Sequence, residues 1–264
     1  MENGTGGSGA SLLAEERRRT ILELLRQDGK VLVNPLARRF ATSQVTIRQD
    51  LEVLHAQGLL HRTHGGALPL RAAALVDPSL HDKARLFRRE KHRIAIAAVR
   101  QVQEGQSVVL DSGSTTTAVA RELRRFRQLT VITNAVNIAA ELAGTAVEVI
   151  LTGGSLRPNS FSLVGPLAEN TLRRLSADVL FLGVDGFDPQ FGLTTPNVME
   201  AKVNQVMMQI ARRHVVVCDS SKFGSRSLSR IALPSAIQQV ITDRGLAEED
   251  ARLLRDAGIE VTIV

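Results

Sequence analysis

Five times between Ser107 and Lys222 a short run of Val, Ile and Leu ends directly in small, hydroxyl-bearing or ionisable residues. The first such stretch is Asp111-Ser112-Gly113-Ser114-Thr115-Thr116-Thr117, and it opens a helical pattern. Unpaired N–H groups at a helix start, flanked by small residues and hydroxyls, make an anion site. On its own the same stretch serves equally as a plain helix cap. Thr133-Asn134, Thr152-Gly153-Gly154, Gly183-Val184-Asp185-Gly186 and Asp219-Ser220-Ser221-Lys222 follow the other runs, and Glu200 and Lys202 stand near the start of another helix. Each of these singly has an ordinary explanation as a turn or cap. Together they supply hydroxyls, carboxylates and lysine charge, a set suited to a polyhydroxy, phosphorylated ligand. Residues 94–264 have neither Gly-x-Gly-x-x-Gly nor Gly-x4-Gly-Lys-Ser/Thr, so nucleotide binding lacks a motif there, and the reading includes no cofactor, no metal and no catalytic residue.

A second constellation lies near the N-terminus and suits nucleic acid. Ser43 can cap a helix over Gln44–Ala56, in which Ile47, Leu51 and Leu54 fall at i, i+4 and i+7 and face inward. Gln44, Thr46, Arg48 and Gln49 project elsewhere, near the helix start. In a helix-turn-helix those positions meet base edges and phosphates in the major groove of double-stranded DNA. Leu59–His64 followed by Gly65-Gly66 predicts a short hairpin, or wing, bearing Arg62 and His64. Arg17, Arg18 and Arg19 are placed to grip phosphate. Three short helices alone would favour a generic bundle with a solvated polar face; the following wing and the basic bias favour DNA.

The elements that must position these residues divide into stretches. Residues 1–11 are rich in Gly and Ser and read as a disordered tail. Residues 12–67 carry the helical periodicity: a first helix over about Glu15–Gln27, a second capped by Asn34 with Pro35 in its first turn, a break at Ala41-Thr42, then the third. Residues 68–93 read as a linker. Residues 94–264 alternate apolar runs with helical patterns. The runs are Ser107–Leu110, Leu129–Thr133, Val147–Leu151, Val179–Val184, His214–Cys218, Gln239–Thr242 and Glu260–Val264. Thr116–Phe126, Val136–Ala143, Leu167–Leu175, Val198–Arg213 and Glu248–Ala257 are the helices between them. Such alternation predicts an α/β domain with a mostly parallel sheet, whose ligands bind at the carboxyl ends of the strands.

The formal net charge is +6; residues 1–93 hold 16 basic and 10 acidic side chains, and residues 94–264 hold 17 of each. The excess in the first third suits a polyanionic partner there, and on charge alone it suits a solubilising surface equally well. The lone Cys218 excludes an intrachain disulfide and suits the reducing cytoplasm, and no apolar run approaches the ~20 residues of a membrane helix.

Ser43-Gln44-Val45-Thr46-Ile47-Arg48-Gln49-Asp50-Leu51 and Gly58-Leu59-Leu60-His61-Arg62-Thr63-His64-Gly65-Gly66-Ala67 resemble the signature of the DeoR family of bacterial transcription regulators. The resemblance implies that Thr46 and Arg48 sit in the groove, Arg62 supports a wing, and Asp50 holds an arginine rather than DNA. It extends over nearly the whole chain after Leu12. Gly183–Asp188, Glu200-Ala201-Lys202 and Asp219–Phe223 look closest to the subgroup regulating N-acetylgalactosamine and related amino-sugar use. By this resemblance the fold is a winged helix-turn-helix joined to a domain similar to ribose-5-phosphate isomerase and glucosamine-6-phosphate deaminase. It also implies that Ser112 to Thr116 cradle a phosphate, Lys222 adds charge, and Asp185 and Glu200 bind sugar hydroxyls. The expected protein is a homo-oligomeric repressor, dimer or tetramer, released from its operator by a sugar or amino-sugar phosphate.

The alternative is a sugar-phosphate isomerase or deaminase carrying a DNA-binding domain. Asp185 and Glu200 offer carboxylates for proton transfer. The isomerase-like pattern has a lysine in the loop before the glutamate, and Phe191–Met199 has none. His214, the one histidine of residues 94–264, begins a strand and so lies at the end away from the site. The proton-transfer set is therefore expected to be incomplete. A protein-binding adaptor finds little support, since aromatic residues make up 3% of the chain.

Overall fold

The computed structural model describes residues 8–57, 59–63, 65–69 and 77–264, which form two compact units, Met1–Val76 and Asp77–Val264. Gly58 and His64, expected as a helix stop and a wing residue, lie outside the described residues. So do residues 1–7 of the expected tail; the rest of it is already helical, because the first helix begins at Ser8.

The first unit contains α1 (Ser8–Asp28), β1 (Val31–Leu32), α2 (Val33–Arg39), α3 (Gln44–Ala56), β2 (His61–Thr63) and β3 (Gly66–Leu68). Ile21 and Leu25 of α1, Leu36 of α2 and Ile47, Leu51 and Leu54 of α3 share one core with Leu60 and Ala67. Helix α2 starts one residue earlier than Asn34, after Leu32, and no side chain caps it. The α2–α3 break is the turn of a helix-turn-helix, with Ala41 at φ 47°. Ser43 caps α3 as expected, its Oγ accepting from Thr46 N at 3.0 Å. The strands form an antiparallel sheet in the order β1-β3-β2, and Gly66 packs against β1 so closely that a Cβ there would lie 1.8 Å from Val31 O.

The second unit is built on a parallel seven-stranded sheet, ordered β15-β14-β12-β9-β4-β5-β6. These are β4 (Ser107–Leu110), β5 (Thr130–Thr133), β6 (Glu148–Leu151), β9 (Ala177–Leu182), β12 (Ala211–Val217), β14 (Gln239–Thr242) and β15 (Glu260–Ile263). All seven overlap the apolar runs of the sequence, with β9 beginning two residues and β12 three residues earlier than expected. Successive side chains of a strand point to opposite faces. Accordingly Val109, Leu180 and Val216 join one buried cluster, and Val108, Val179 and Val215 join the other. Two small antiparallel additions were not expected: a hairpin of β7 (Ser155–Arg157) and β8 (Ser162–Val164), and a sheet of β10 (Gly186–Asp188), β11 (Gly192–Thr195) and β13 (Ser229–Ala232). The helix over Val198–Ile210 ends before the expected Arg213, because Ala211 pairs with Ala177 and the chain passes into β12.

The expected linker over 68–93 is corrected. From Asp77 the chain belongs to the second unit, with α4 (Leu80–Arg85) and α5 (Arg88–Val99), and Leu80, Lys91, Ile94 and Ala95 are buried. The charge reading changes with the boundary. The first unit carries 10 basic and 7 acidic side chains, so half of the excess of six lies beyond Val76. Among the described residues no helix is long and apolar enough to cross a membrane.

Candidate functional site

The second unit has a cleft at the carboxyl ends of β4 and β9. Asp111 to Thr115 form its floor, at the start of α6 (Ser114–Leu123). No side chain caps that helix, whose N-cap is Gly113. Its first N–H groups have no intrahelical acceptor and are available to an anion. Asp111 itself is buried, and its Oδ1 accepts from Gly183 N at 2.8 Å. Burial pushes its carboxyl up to about 7, against the opposing pull of the Gly183 N–H.

Two more carboxylates face this floor. Asp185 follows β9 and meets Lys83 Nζ at 2.6 Å and the Thr195 hydroxyl at 3.2 Å. Burial alone would raise Asp185, but the charges of Lys83 and Lys222 outweigh it and hold the carboxyl below its ordinary value. Burial likewise opposes charge on Lys83, yet Asp185 keeps its ammonium above the ordinary lysine value. Glu200 opens α9 (Val198–Ile210), where Asn197 Oδ1 caps the first turn. Glu200 Oε1 accepts from Ser160 Oγ at 2.5 Å, Ser162 Oγ at 2.6 Å and Arg157 at 2.7 Å. The other arm of Arg157 reaches Asp77 at 2.5 Å. Lys222 closes the cleft from a 3-10 turn after β12. Behind it, buried Lys91 donates to Lys83 O and Leu86 O and lies 3.5 Å from Asp219. Burial, with the charge of Lys222, draws the Lys91 ammonium below its ordinary value.

The structure therefore brings together Asp111, Ser112, Gly113, Ser114, Thr115, Asp185, Glu200 and Lys222. The other expected residues do not line this cleft. Thr116 turns its hydroxyl back to Asp111 O and Gly113 O. Thr133 and Asn134 are fully buried, the first accepting from Ala135 N and the second donating to Leu163 O. Gly153 and Gly154 form a left-handed turn, and Gly154 packs on Val164. Lys202 is on the exposed side of α9. Residues not anticipated were Leu80, Lys83, Ser160, Thr195 and Asn204. Of these only Asn204 carried a sequence signal, lying four residues after Glu200 on one helix face. His214 is in β12, bonded to Ala236 O at 2.7 Å and outside the cleft. Among the described residues no cluster of His, Cys, Asp and Glu could hold a metal ion.

In the first unit Gln44, Arg48 and Gln49 share the exposed face of α3, with Arg48 donating to Gln44 Oε1 at 3.1 Å. Ser43 and Thr46 are occupied with each other: their hydroxyls lie 2.8 Å apart at the cap, and Thr46 is half-buried. Arg18 does not stand apart for phosphate, since its Nε donates to buried Asp50 at 2.9 Å, next to Arg17 at 2.5 Å. Arg62 pairs with Glu52 and so ties β2 to α3.

Comparison with known proteins follows this division. A family model described as the DeoR-like helix-turn-helix domain matches residues 17–71, and one described as the DeoR C-terminal sensor domain matches residues 87–244. A protein of Escherichia coli O157:H7, provisionally named an aga operon transcriptional repressor, is 43% identical over 94% of this chain and 93% of its own length. The HTH-type transcriptional regulator GlpR of Haloferax volcanii is 38% identical over 95% of this chain and 98% of its own. Ribose-5-phosphate isomerase A of Methanocaldococcus jannaschii aligns over 50% of this chain and 53% of its own, with 20% identity and a TM-score of 0.39.

Proposed function

The chain belongs to the DeoR family of DNA-binding transcriptional regulators, and on that premise we propose that a phosphorylated sugar or amino sugar occupies its cleft and releases it from operator DNA. One observation carries the reading: the uncapped start of α6 lies in the same cleft as Lys222, Lys83 and the carboxylates of Asp185 and Glu200. A phosphate fits N–H groups and lysine charge, and sugar hydroxyls fit carboxylates. The protein acts in the cytoplasm as a homo-oligomer that presents paired α3 helices about one DNA turn apart. A thermal-shift series with N-acetylgalactosamine-6-phosphate, tagatose-6-phosphate and glycerol-3-phosphate tests it. At ~100 Kd a true effector adds about 2.7 kcal/mol, raising Tm by roughly 5–10 °C. No shift with any of them, alongside intact operator binding, rejects the sugar-phosphate reading.

The cleft binds without turning its ligand over. The loop before Glu200 has no lysine and His214 does not line the cleft, but Lys83 reaches Asp185 from α4. The state of these groups disfavours proton transfer. Lys83 is held protonated and Asp185 ionised below its usual range, each by the other, so neither is poised to exchange protons at neutral pH. Two serines and Arg157 converge on Glu200 Oε1, which leaves Oε2, with Thr195 at 3.5 Å, to meet a ligand hydroxyl. Conversion of any of these sugar phosphates by purified protein would overturn this.

Asp111 gives the site a pH dependence. Its neutral form is preferred in the folded protein up to about 7, so its contribution to stability is complete below the ordinary carboxylate range and is lost as pH rises through 7. An anionic ligand beside it also favours the protonated form. Effector affinity should fall between pH 6 and 8 in the wild type and become flatter in Asp111→Asn; an unchanged slope would remove Asp111 from this role.

Arg157 joins the cleft to the first residue of its unit. Asp77→Ala breaks the Arg157 contact without touching any cleft-lining group. The expected result is effector binding within about three-fold of wild type but a several-fold higher effector concentration for half-release of operator, the range of a typical coupling energy. Equal shifts in both measurements would show a structural role only.

A further inference from the structure

On the reading of α3 as the groove helix, we infer that Val45 is a base-reading residue that recognises the 5-methyl group of a thymine adjacent to the base met by Arg48. Val45 is 63% exposed in the first turn of α3, whereas Ile47, Leu51 and Leu54 of the same helix are at most 2% exposed. It packs into no described core cluster, and a β-branched residue on an exposed helix surface is less favourable than Ala, Gln or Lys. Its neighbours define the face. Gln44, Arg48 and Gln49 are exposed beside it, and the Gln44–Arg48 hydrogen bond of 3.1 Å holds the guanidinium one turn on from Val45. Thr46 is withdrawn, its hydroxyl at 2.8 Å from Ser43 Oγ. The first turn thus presents a fixed arginine, two amides and one isopropyl group. The thymine methyl is the apolar group on the major-groove edge of B-DNA, and arginine there pairs with guanine N7 and O6. The two features complement each other side by side.

The test begins with duplexes selected from a random pool by the full-length protein. Each thymine of the best duplex is then replaced singly by deoxyuridine, which removes the methyl and keeps every hydrogen bond. For the wild type, one position per half-site should lose about four-fold in affinity, the effect of one buried methyl group. In Val45→Ala the thymine/deoxyuridine difference at that position should fall within two-fold, with all other positions unchanged. Val45→Thr, which keeps the side-chain shape, should retain most of the discrimination. Identical profiles for wild type and Val45→Ala overturn the inference. The premise fails separately: if Arg48→Ala selects the same sequences as wild type with equal affinity, α3 is not the reading helix. Ala is the better helix former and Val45 is exposed, so both proteins should melt alike.

Discussion

Asp50→Ala strongly weakens operator binding and leaves effector binding intact. Asp50 is 1% exposed, on the inner side of α3, and receives Arg17 Nε at 2.5 Å and Arg18 Nε at 2.9 Å from α1. Removing it leaves two guanidinium groups facing a gap, and a broken ion pair of this kind costs more than its net contribution when intact. The arginines are 18% and 28% exposed, so water recovers part of the loss. A net cost of about 3 kcal/mol remains. A unit this small has only about 5 kcal/mol to lose, and 3 kcal/mol lowers the folded-to-unfolded ratio by roughly 100-fold. Because α3 carries the reading face, its register against α1 is lost with the ion pairs. Hydrogen exchange resolved by segment should show α3 amides losing protection while those of β4 and β9 keep theirs. Asp50→Asn retains one acceptor and should lose less. Operator affinity within three-fold of wild type in Asp50→Ala would show that the two arginines do not depend on this carboxylate.

Lys222→Ala is the second large effect and has the opposite profile. Lys222 lines the cleft from the turn after β12, and its charge influences Asp185, Asp219 and Lys91 around it. A charged hydrogen bond to a phosphate contributes about 1.5–3 kcal/mol, so effector affinity should fall roughly 10- to 150-fold. Operator binding without effector should stay within two-fold. Switching a regulator from almost fully bound to almost fully released needs about 10⁴-fold preference of the ligand for the released state. Loss of one strong contact formed in that state leaves release incomplete even at saturation. Isothermal titration with effector and anisotropy with labelled operator separate the two quantities. A normal response in Lys222→Ala removes it from the site. Lys83→Ala is a poorer probe, because it strands Asp185 at 2.6 Å from the lost ammonium.

The seven strands were readable in advance because each contains a short run rich in Val, Ile or Leu, and α3 because its cap and its i, i+4, i+7 stripe are adjacent in the chain. The family signature around Ile47-Arg48-Gln49-Asp50-Leu51 is also local to the chain, and the resemblance it carries implied that Asp50 holds an arginine. Where a side chain's partner lies far away, the sequence was silent. Lys83 sits in a six-residue helix, too short for periodicity to register, and only the packing of α4 against α6 brings it to Asp185. Ser160 and Ser162 belong to a hairpin of three-residue strands, and their Glu200 partner is 40 and 38 residues away.

The amino-acid order alone determined two units, a helix-turn-helix, a parallel α/β sheet and a set of residue types suited to a phosphorylated sugar, because periodicity, caps and strand-end loops are properties of neighbouring residues. The tertiary structure decided which of those residues meet. It withdrew Thr46 into a cap, left Val45 exposed, buried Thr133 and Asn134, and drew Lys83 and Lys91 out of a supposed linker into the second unit. A side chain's direction, and the charge state that burial and an ion partner impose on it, depend on groups brought close only by the fold.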